Sequence, residues 1–208
     1  MTMDIAITAL LNDLEARWQR EQAEQASLSR ADAYAKVDDY LLPVGPETGR
    51  LMNDLIRALR PAVVVEIGSS YGYSTLWLAE AARAVGGKVV SFEIHAGKIA
   101  AAKAMLASVD LDPVVRFVQG DALASLEAFA GEIGFVLIDL WKDLYIPCFD
   151  RIADKLAPGA IVIADNMTFP PDNADNAVAY RARIRADARF ESVLLPIGAG
   201  IEVTRRLP

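Results

Sequence analysis

Two stretches of the chain combine residue types suited to chemistry. In "VLIDLWKDLY", residues 136–145, a run of β-formers ends on Asp139 and a lysine, Lys142, follows three positions later. In "IVIADN", residues 161–166, a second run ends on Asp165 beside Asn166. Asp139, Asp165 and Asn166 are hard oxygen donors that suit Mg²⁺ or a similar divalent ion. With one cysteine and one histidine in the chain, a Cys/His zinc site is excluded. A lysine beside such an ion and mostly out of water has its pKa pushed down, which makes Lys142 a candidate general base. The alternative for Lys142 is a solvated first-turn lysine, common in a surface "K-D" pair.

A second cluster lies in "EIGSSYGYST", residues 66–75, a Gly/Ser turn after an apolar run ending on Glu66. Gly68 and Gly72 are spaced G-x-x-x-G, which does not satisfy the dinucleotide fingerprint and disfavours a nicotinamide cofactor. The loop suits a nucleoside with a small charged end. Its amides and the Ser74 hydroxyl are placed to hold a carboxylate at a helix start. Glu93, at the tip of the next run "KVVSFE", is placed to accept from two ribose hydroxyls. Asp121 has two open readings, a contact to an adenine amino group or a cap on the helix starting at Ala122. His95 reads as a surface residue, and Cys148 as a small hydrophobe packed in a helix.

These residues need a scaffold, and the pattern of apolar runs predicts one. Uninterrupted apolar runs end near Glu66, Glu93, Asp121, Asp139 and Asp165, separated by segments long enough for crossover helices. This describes a parallel sheet covered on both faces, with ligands expected at the carboxyl ends of the strands. Five strand-end acids in series predict an acidic-rimmed cleft. The tail "FESVLLPIGAGIEVTRR", residues 190–206, holds two further β-rich runs with no room for a crossover helix, so its last strand should be antiparallel. Residues 5–37 carry apolar positions at helical spacing and predict a helical arm. Helices are expected at 50–59, 75–85, 97–109, 146–155 and about 173–186. "MTFPPDNADN", residues 167–176, reads as a semi-rigid lid.

Composition narrows the class. The chain has 208 residues, 53% hydrophobic and 24% charged, and a formal charge of −7. It fits one domain, 1–208, with an arm at 1–38 and a core at 39–208. The acidic balance argues against nucleic acid or an anionic membrane as a bulk partner. One cysteine suits a reducing compartment such as the cytoplasm, and the first twenty residues lack the basic region of a signal peptide. No apolar run approaches the roughly 20 residues that cross a bilayer.

Taken in order, "PVGPETGRLM", "VVEIGSSYGYSTLWLA", "SFEI", "GDA", "IDLWKDLY", "IADN" and the closing G-x-G-I-x-x-x-R resemble the cation-dependent O-methyltransferases that use S-adenosylmethionine. That group contains catechol O-methyltransferase, the caffeoyl-coenzyme A enzymes and small bacterial members; the resemblance covers about Tyr40 to Arg206. It implies an α/β class I methyltransferase, a Rossmann-like sandwich with seven strands, mostly parallel, and an antiparallel last strand. It implies that Asp139, Asp165 and Asn166 bind Mg²⁺ and that Lys142 takes a proton from the acceptor. The cofactor would meet Glu66, Gly68, Ser69, Ser70, Tyr71, Gly72 and Ser74 in the loop. Glu93 and Ile94 follow at the second strand, Gly120, Asp121 and Ala122 at the third, and Asp139, Leu140 and Trp141 at the fourth. An ortho-diphenolic acceptor would lie among Tyr40, Leu42, Trp141, Lys142, Asn166, Phe169 and Pro170, although Trp141 also reads as a core residue.

Two departures stand out: Leu140 replaces a histidine near adenine, and Ala199 replaces an acidic residue in the closing glycine turn. A homodimer is the expected assembly. A tRNA methyltransferase acting on a hydroxylated uridine is the main alternative function, with a basic track from "RALR", "RARIR" and "RRLP". A non-catalytic cofactor-binding scaffold is the third reading.

Overall fold

The computed structural model describes residues 3–168 and 174–208. Seven strands form one sheet in the order β3-β2-β1-β4-β5-β7-β6. They are β1 Val63–Ile67, β2 Lys88–Glu93, β3 Val115–Gln119, β4 Ile133–Ile138, β5 Leu156–Ala164, β6 Phe190–Leu195 and β7 Ile201–Arg206. β7 runs antiparallel to both β5 and β6, and the other registered pairs are parallel. The expected architecture is borne out, including the reversed last strand. The order reverses direction between β1 and β4, the switch point where the carboxyl ends of such a sheet open a crevice.

Alternation along each strand builds a core on both faces. Val64, Val89, Phe135, Leu137 and Ile163 face helices α3 (Pro46–Leu59) and α4 (Tyr73–Val85), including Met52, Ile56, Leu76 and Leu78. Val65, Ile67, Val136, Ile138 and Val162 face the opposite layer, where Phe149 and Ile152 of a later helix pack. Burial of about 1.5–3 kcal/mol per large apolar side chain holds the strand ends in fixed register. Those ends can then carry charges that the core itself would reject.

The arm consists of α1 (Ile5–Ser27) and α2 (Arg30–Ala35), followed by a 3₁₀ turn at Val37–Asp39. Ile7 and Leu11 are buried in the core layer with Val44 and Trp77, and Leu10, Leu14 and Trp18 pack against it. The arm therefore packs on the catalytic core of its own chain. Element starts shift where caps decide them. α3 begins at Pro46, four residues earlier than expected, because proline at the first helical position leaves no amide orphaned there. α5 (Ala96–Ala107), α6 (Ala122–Ala128), α7 (Tyr145–Ile152) and α8 (Ala174–Arg185) complete the layers. Among the described residues no helix is long and apolar enough to cross a membrane.

Candidate active site

β4 and β5 are neighbours, with Ile138 opposite Ala164, so the next residue on each strand, Asp139 and Asp165, falls at the same end of the sheet. Backbone bonds fix both: Asp139 N–H donates to the Ile67 carbonyl at 2.9 Å and Asp165 N–H to the Ile138 carbonyl at 3.1 Å. Asn166 sits in the left-handed region at φ 57 and donates its side-chain amide to Asp139 Oδ1 at 3.0 Å. Asp165 is 1% exposed, and its Oδ1 has no hydrogen-bond partner among the described residues. Burial first, then the neighbouring carboxylate, raises the pKa of Asp165; burial also raises Asp139, against the pull of Lys142 and Asn166. Two anions crowded in a desolvated corner are an arrangement that a cation relieves. Among the described residues no three His, Cys, Asp or Glu side chains gather as a metal cluster. The oxygen set here is two carboxylates and one amide, with an unpartnered carboxylate oxygen left over, and it fits a hard divalent ion.

Lys142 opens a 3₁₀ turn and is 7% exposed, so it is not the solvated lysine of the alternative reading. Its Nζ donates to the Asp165 carbonyl and to the Tyr145 hydroxyl. Burial lowers its pKa to about 8, against the opposing pull of Asp139 and Asp165. An amine near that value exchanges protons readily at neutral pH.

The loop after β1 forms the other half of the crevice. Gly68 has φ +93, and a Cβ there would strike the Asp139 carbonyl, so only glycine lets the two strand ends approach. Ser70 is also left-handed, at φ 45. Its amide donates to Glu93 Oε2 at 2.9 Å, while the amides of Ile94 and His95 donate to Oε1, each at 2.9 Å. Three amides leave the Glu93 carboxylate about one of its roughly four lone-pair sites, on Oε2, for a ligand. The Ser69 and Ser70 hydroxyls are buried without a partner among the described residues, polar atoms available to a ligand. The cradle thus fits a nucleoside cofactor with a charged end.

Other expected residues lie elsewhere or do other work. Glu66 is fully buried and accepts from Ser74, Thr75 and Ser91, each at 2.6 Å, so neither Glu66 nor the Ser74 hydroxyl stands on an open acidic rim. Burial raises the Glu66 pKa to about 7, the three hydroxyls pulling it part of the way back. Asp121 caps α6, accepting from the Ala124 amide at 2.8 Å, and is exposed beside Gly120 and Ala122. Trp141 is 54% exposed, which rules out the core reading, and Ile94 is also exposed at the rim. Leu140 is half-buried beside Trp141. Tyr40 is buried with an unpartnered hydroxyl, and Leu42 is exposed with the rare φ of 46. Phe169 and Pro170, with half of the expected lid (169–173), lie outside the described residues. The turn at Ala199 is held by its backbone, since its carbonyl accepts from the Thr168 amide at 2.9 Å and hydroxyl at 2.7 Å. Cys148 is fully buried, and burial pushes its thiol up to about 12.

The structure adds contacts that spacing did not reveal. The Tyr71 hydroxyl donates to the Asp38 carbonyl at 3.2 Å, and the Asp38 carboxylate meets Lys98 at 3.1 Å and His95 at 3.5 Å. Tyr34 of α2 stands 6.2 Å from Trp141, ring to ring. The arm thus crosses from the cofactor loop to the end of β4. Tyr145 was also missed; its signal was the K-x-x-Y spacing in "KDLY", which puts both side chains on one helical face.

The strand order, the glycine turn at its switch point and the acids beside it define a Rossmann-like enzyme with a nucleoside cofactor. A methyltransferase domain family matches residues 65–167. A probable O-methyltransferase of Mycobacterium tuberculosis is 32% identical over 169 residues, 76% of this chain and 70% of that protein. Catechol O-methyltransferase of Mus musculus is 28% identical over 176 residues, 80% of this chain but 63% of its own length. The SAH-bound methyltransferase of Podospora anserina superposes with a TM-score of 0.77 at 22% identity, covering 99% of this chain and 89% of that one. The chain belongs to the S-adenosylmethionine-dependent O-methyltransferases related to the catechol and caffeoyl-coenzyme A enzymes.

Proposed function

We propose that the protein is a cation-dependent enzyme that moves a methyl group from S-adenosylmethionine to one hydroxyl of an ortho-diphenolic small molecule. The observation that carries this reading is the buried, unpartnered Oδ1 of Asp165 next to Asp139, Asn166 and the buried Lys142. Asp139, Asp165 and Asn166 would hold Mg²⁺ or a similar ion. When bound, the ion supplies positive charge that favours an ionised acceptor oxygen. Glu93 would take the ribose hydroxyls, and the loop from Gly68 to Gly72 the amino-acid end of the cofactor.

A phenol with a pKa of about 10 is a poor nucleophile while protonated. Lys142 removes that proton onto its Nζ lone pair, and the resulting ammonium stays beside the oxyanion. The oxygen then attacks the sulfonium methyl in line; the new C–O bond forms as the C–S bond breaks, and sulfur keeps the electron pair. Trp141, exposed at the end of β4, would lie against the flat acceptor ring, with Tyr40, Leu42, Phe169 and Pro170 completing the pocket. The similarity to a protein named catechol O-methyltransferase supports the acceptor class.

The tRNA reading needs a basic track, but much of the candidate track is occupied by acids. Arg57 pairs with Glu80, Arg181 and Arg185 with Glu202, and Arg183 with Asp150. The proposed assembly is a homodimer of single-domain chains, 1–208, in a reducing compartment such as the cytoplasm. Light scattering reads the assembly directly. A methyl-transfer screen over ortho-diphenols, hydroxycinnamoyl esters and monophenols, with and without Mg²⁺ and read by product mass, tests the function. Methylated diols formed only with the ion are the expected result; equal methylation of monophenols without it would overturn the reading.

A further inference from the structure

We infer that Tyr145 is a positioning residue for Lys142, fixing through its hydroxyl where the lysine Nζ stands beside the acceptor; this rests on the base role proposed above. The Tyr145 ring is fully buried and stands edge-on to Tyr180, with centroids 5.7 Å apart and planes at 81°. That contact leaves the hydroxyl little freedom, and it donates to the Asp165 carbonyl at 3.1 Å. The same hydroxyl oxygen accepts from Lys142 Nζ, which also donates to that carbonyl. Lysine, phenol and carbonyl thus close a three-membered ring of hydrogen bonds beside Asp139.

The count of donors gives this ring its consequence. An ammonium has three N–H groups, and a neutral amine has two and a lone pair. Tyr145 and the Asp165 carbonyl accept two N–H bonds, a number that both protonation states supply. The remaining tetrahedral position on Nζ is therefore the one left for the acceptor. Without the hydroxyl, the amine keeps a single anchoring bond, so it stands beside the acceptor only part of the time. Nζ stands 3.7 Å from the centroid of the Tyr145 ring, and a phenylalanine keeps that contact while losing the hydroxyl bond.

The test compares Tyr145→Phe, Lys142→Ala and the double variant on a series of catechols of increasing acidity, at saturating cofactor. Melting temperature and calorimetric affinity for S-adenosylhomocysteine are measured for each. Tyr145→Phe is expected to lower kcat on unsubstituted catechol about ten- to hundredfold, the scale of one hydrogen bond to a charged group. The acceptor KM and S-adenosylhomocysteine affinity should stay near wild type. The loss should shrink on nitro-substituted catechols, which reach the enzyme already ionised. The double variant should be no slower than Lys142→Ala, because the hydroxyl acts through the lysine. Tyr180→Phe, which removes a neighbouring buried hydroxyl without a hydrogen-bond partner, should leave kcat unchanged. A Tyr145→Phe enzyme at full rate, or one slowed equally on ionised acceptors, overturns the inference. An equal loss in Tyr180→Phe would also overturn it, by assigning the effect to packing. A Lys142→Ala enzyme at full rate would instead sink the base reading on which it rests.

Discussion

Glu66 and Asp165 are both acids near the ends of central strands, and both are taken out of water, yet their surroundings differ. Glu66 accepts three hydroxyl bonds from Ser74, Thr75 and Ser91. Asp165 has an oxygen with no partner and a second carboxylate, Asp139, pressing on it. A buried polar group that is satisfied braces the strands around it; one that is left unsatisfied costs stability unless something else binds it. The comparison assigns Glu66 to architecture, tying β1, β2 and α4 together beneath the cofactor loop. Under the proposed function, Asp165 is left to a ligand.

The largest effect should come from the lysine that faces the unsatisfied acid. Lys142→Ala is expected to lower kcat by at least about 10²-fold, the lower scale for positioned proton transfer. Lys142→Arg should not restore the rate, since arginine keeps its proton; steady-state kinetics with catechol reads both. Next, Asp165→Asn should weaken Mg²⁺ binding by calorimetry at least about tenfold, as loss of a charged ligand predicts. In metal-free protein the same change should leave the melting temperature unchanged or raised, because it removes an uncompensated charge. A marked fall in that temperature would make Asp165 a brace like Glu66.

Smaller effects lie on the other side of the comparison. Glu66→Ala strands three buried hydroxyls and should lower the unfolding free energy by about 1–3 kcal/mol in a denaturant titration. The pH dependence follows from its raised pKa. The folded state holds the Glu66 proton more tightly than the unfolded chain, so stability is favoured below the ordinary glutamate value of 4.5 and falls as pH rises to about 7. Glu66→Gln should flatten that part of the melting-temperature profile. An unaltered slope would mean that Glu66 ionises in the fold as freely as in the open chain.

Much of this site was legible because it lies at the ends of strands. Apolar runs declare where strands stop, and parallel neighbours stop together, so Asp139, Asp165 and Asn166 meet without any long-range guess. Lys142 followed from its spacing to Asp139. What spacing could not decide was which way side chains turn. Ser74 and Glu66 read as ligand contacts; in the fold the Ser74 hydroxyl, in the first turn of α4, donates to Glu66 on β1, eight residues earlier across the glycine turn. Asp121 left two compatible readings, and the geometry shows the helix cap, which leaves the adenine contact open. The clasp of Asp38 on Tyr71, His95 and Lys98 joins residues 33 to 60 positions apart and leaves no periodic trace. Tyr145 was in view throughout, but its role depends on a carbonyl 20 residues away.

The central claim is that the two carboxylates and the amide at the ends of β4 and β5 hold a divalent ion on which methyl transfer depends. Turnover of catechol by exhaustively chelated enzyme, followed by titration with Mg²⁺ under conditions where methyl transfer is rate-limiting, tests this most directly. The account predicts that chelation abolishes product and that Mg²⁺ or Mn²⁺ restores it in wild type but not, at the same concentration, in Asp165→Asn. A metal-stripped enzyme that runs at the full rate would contradict it.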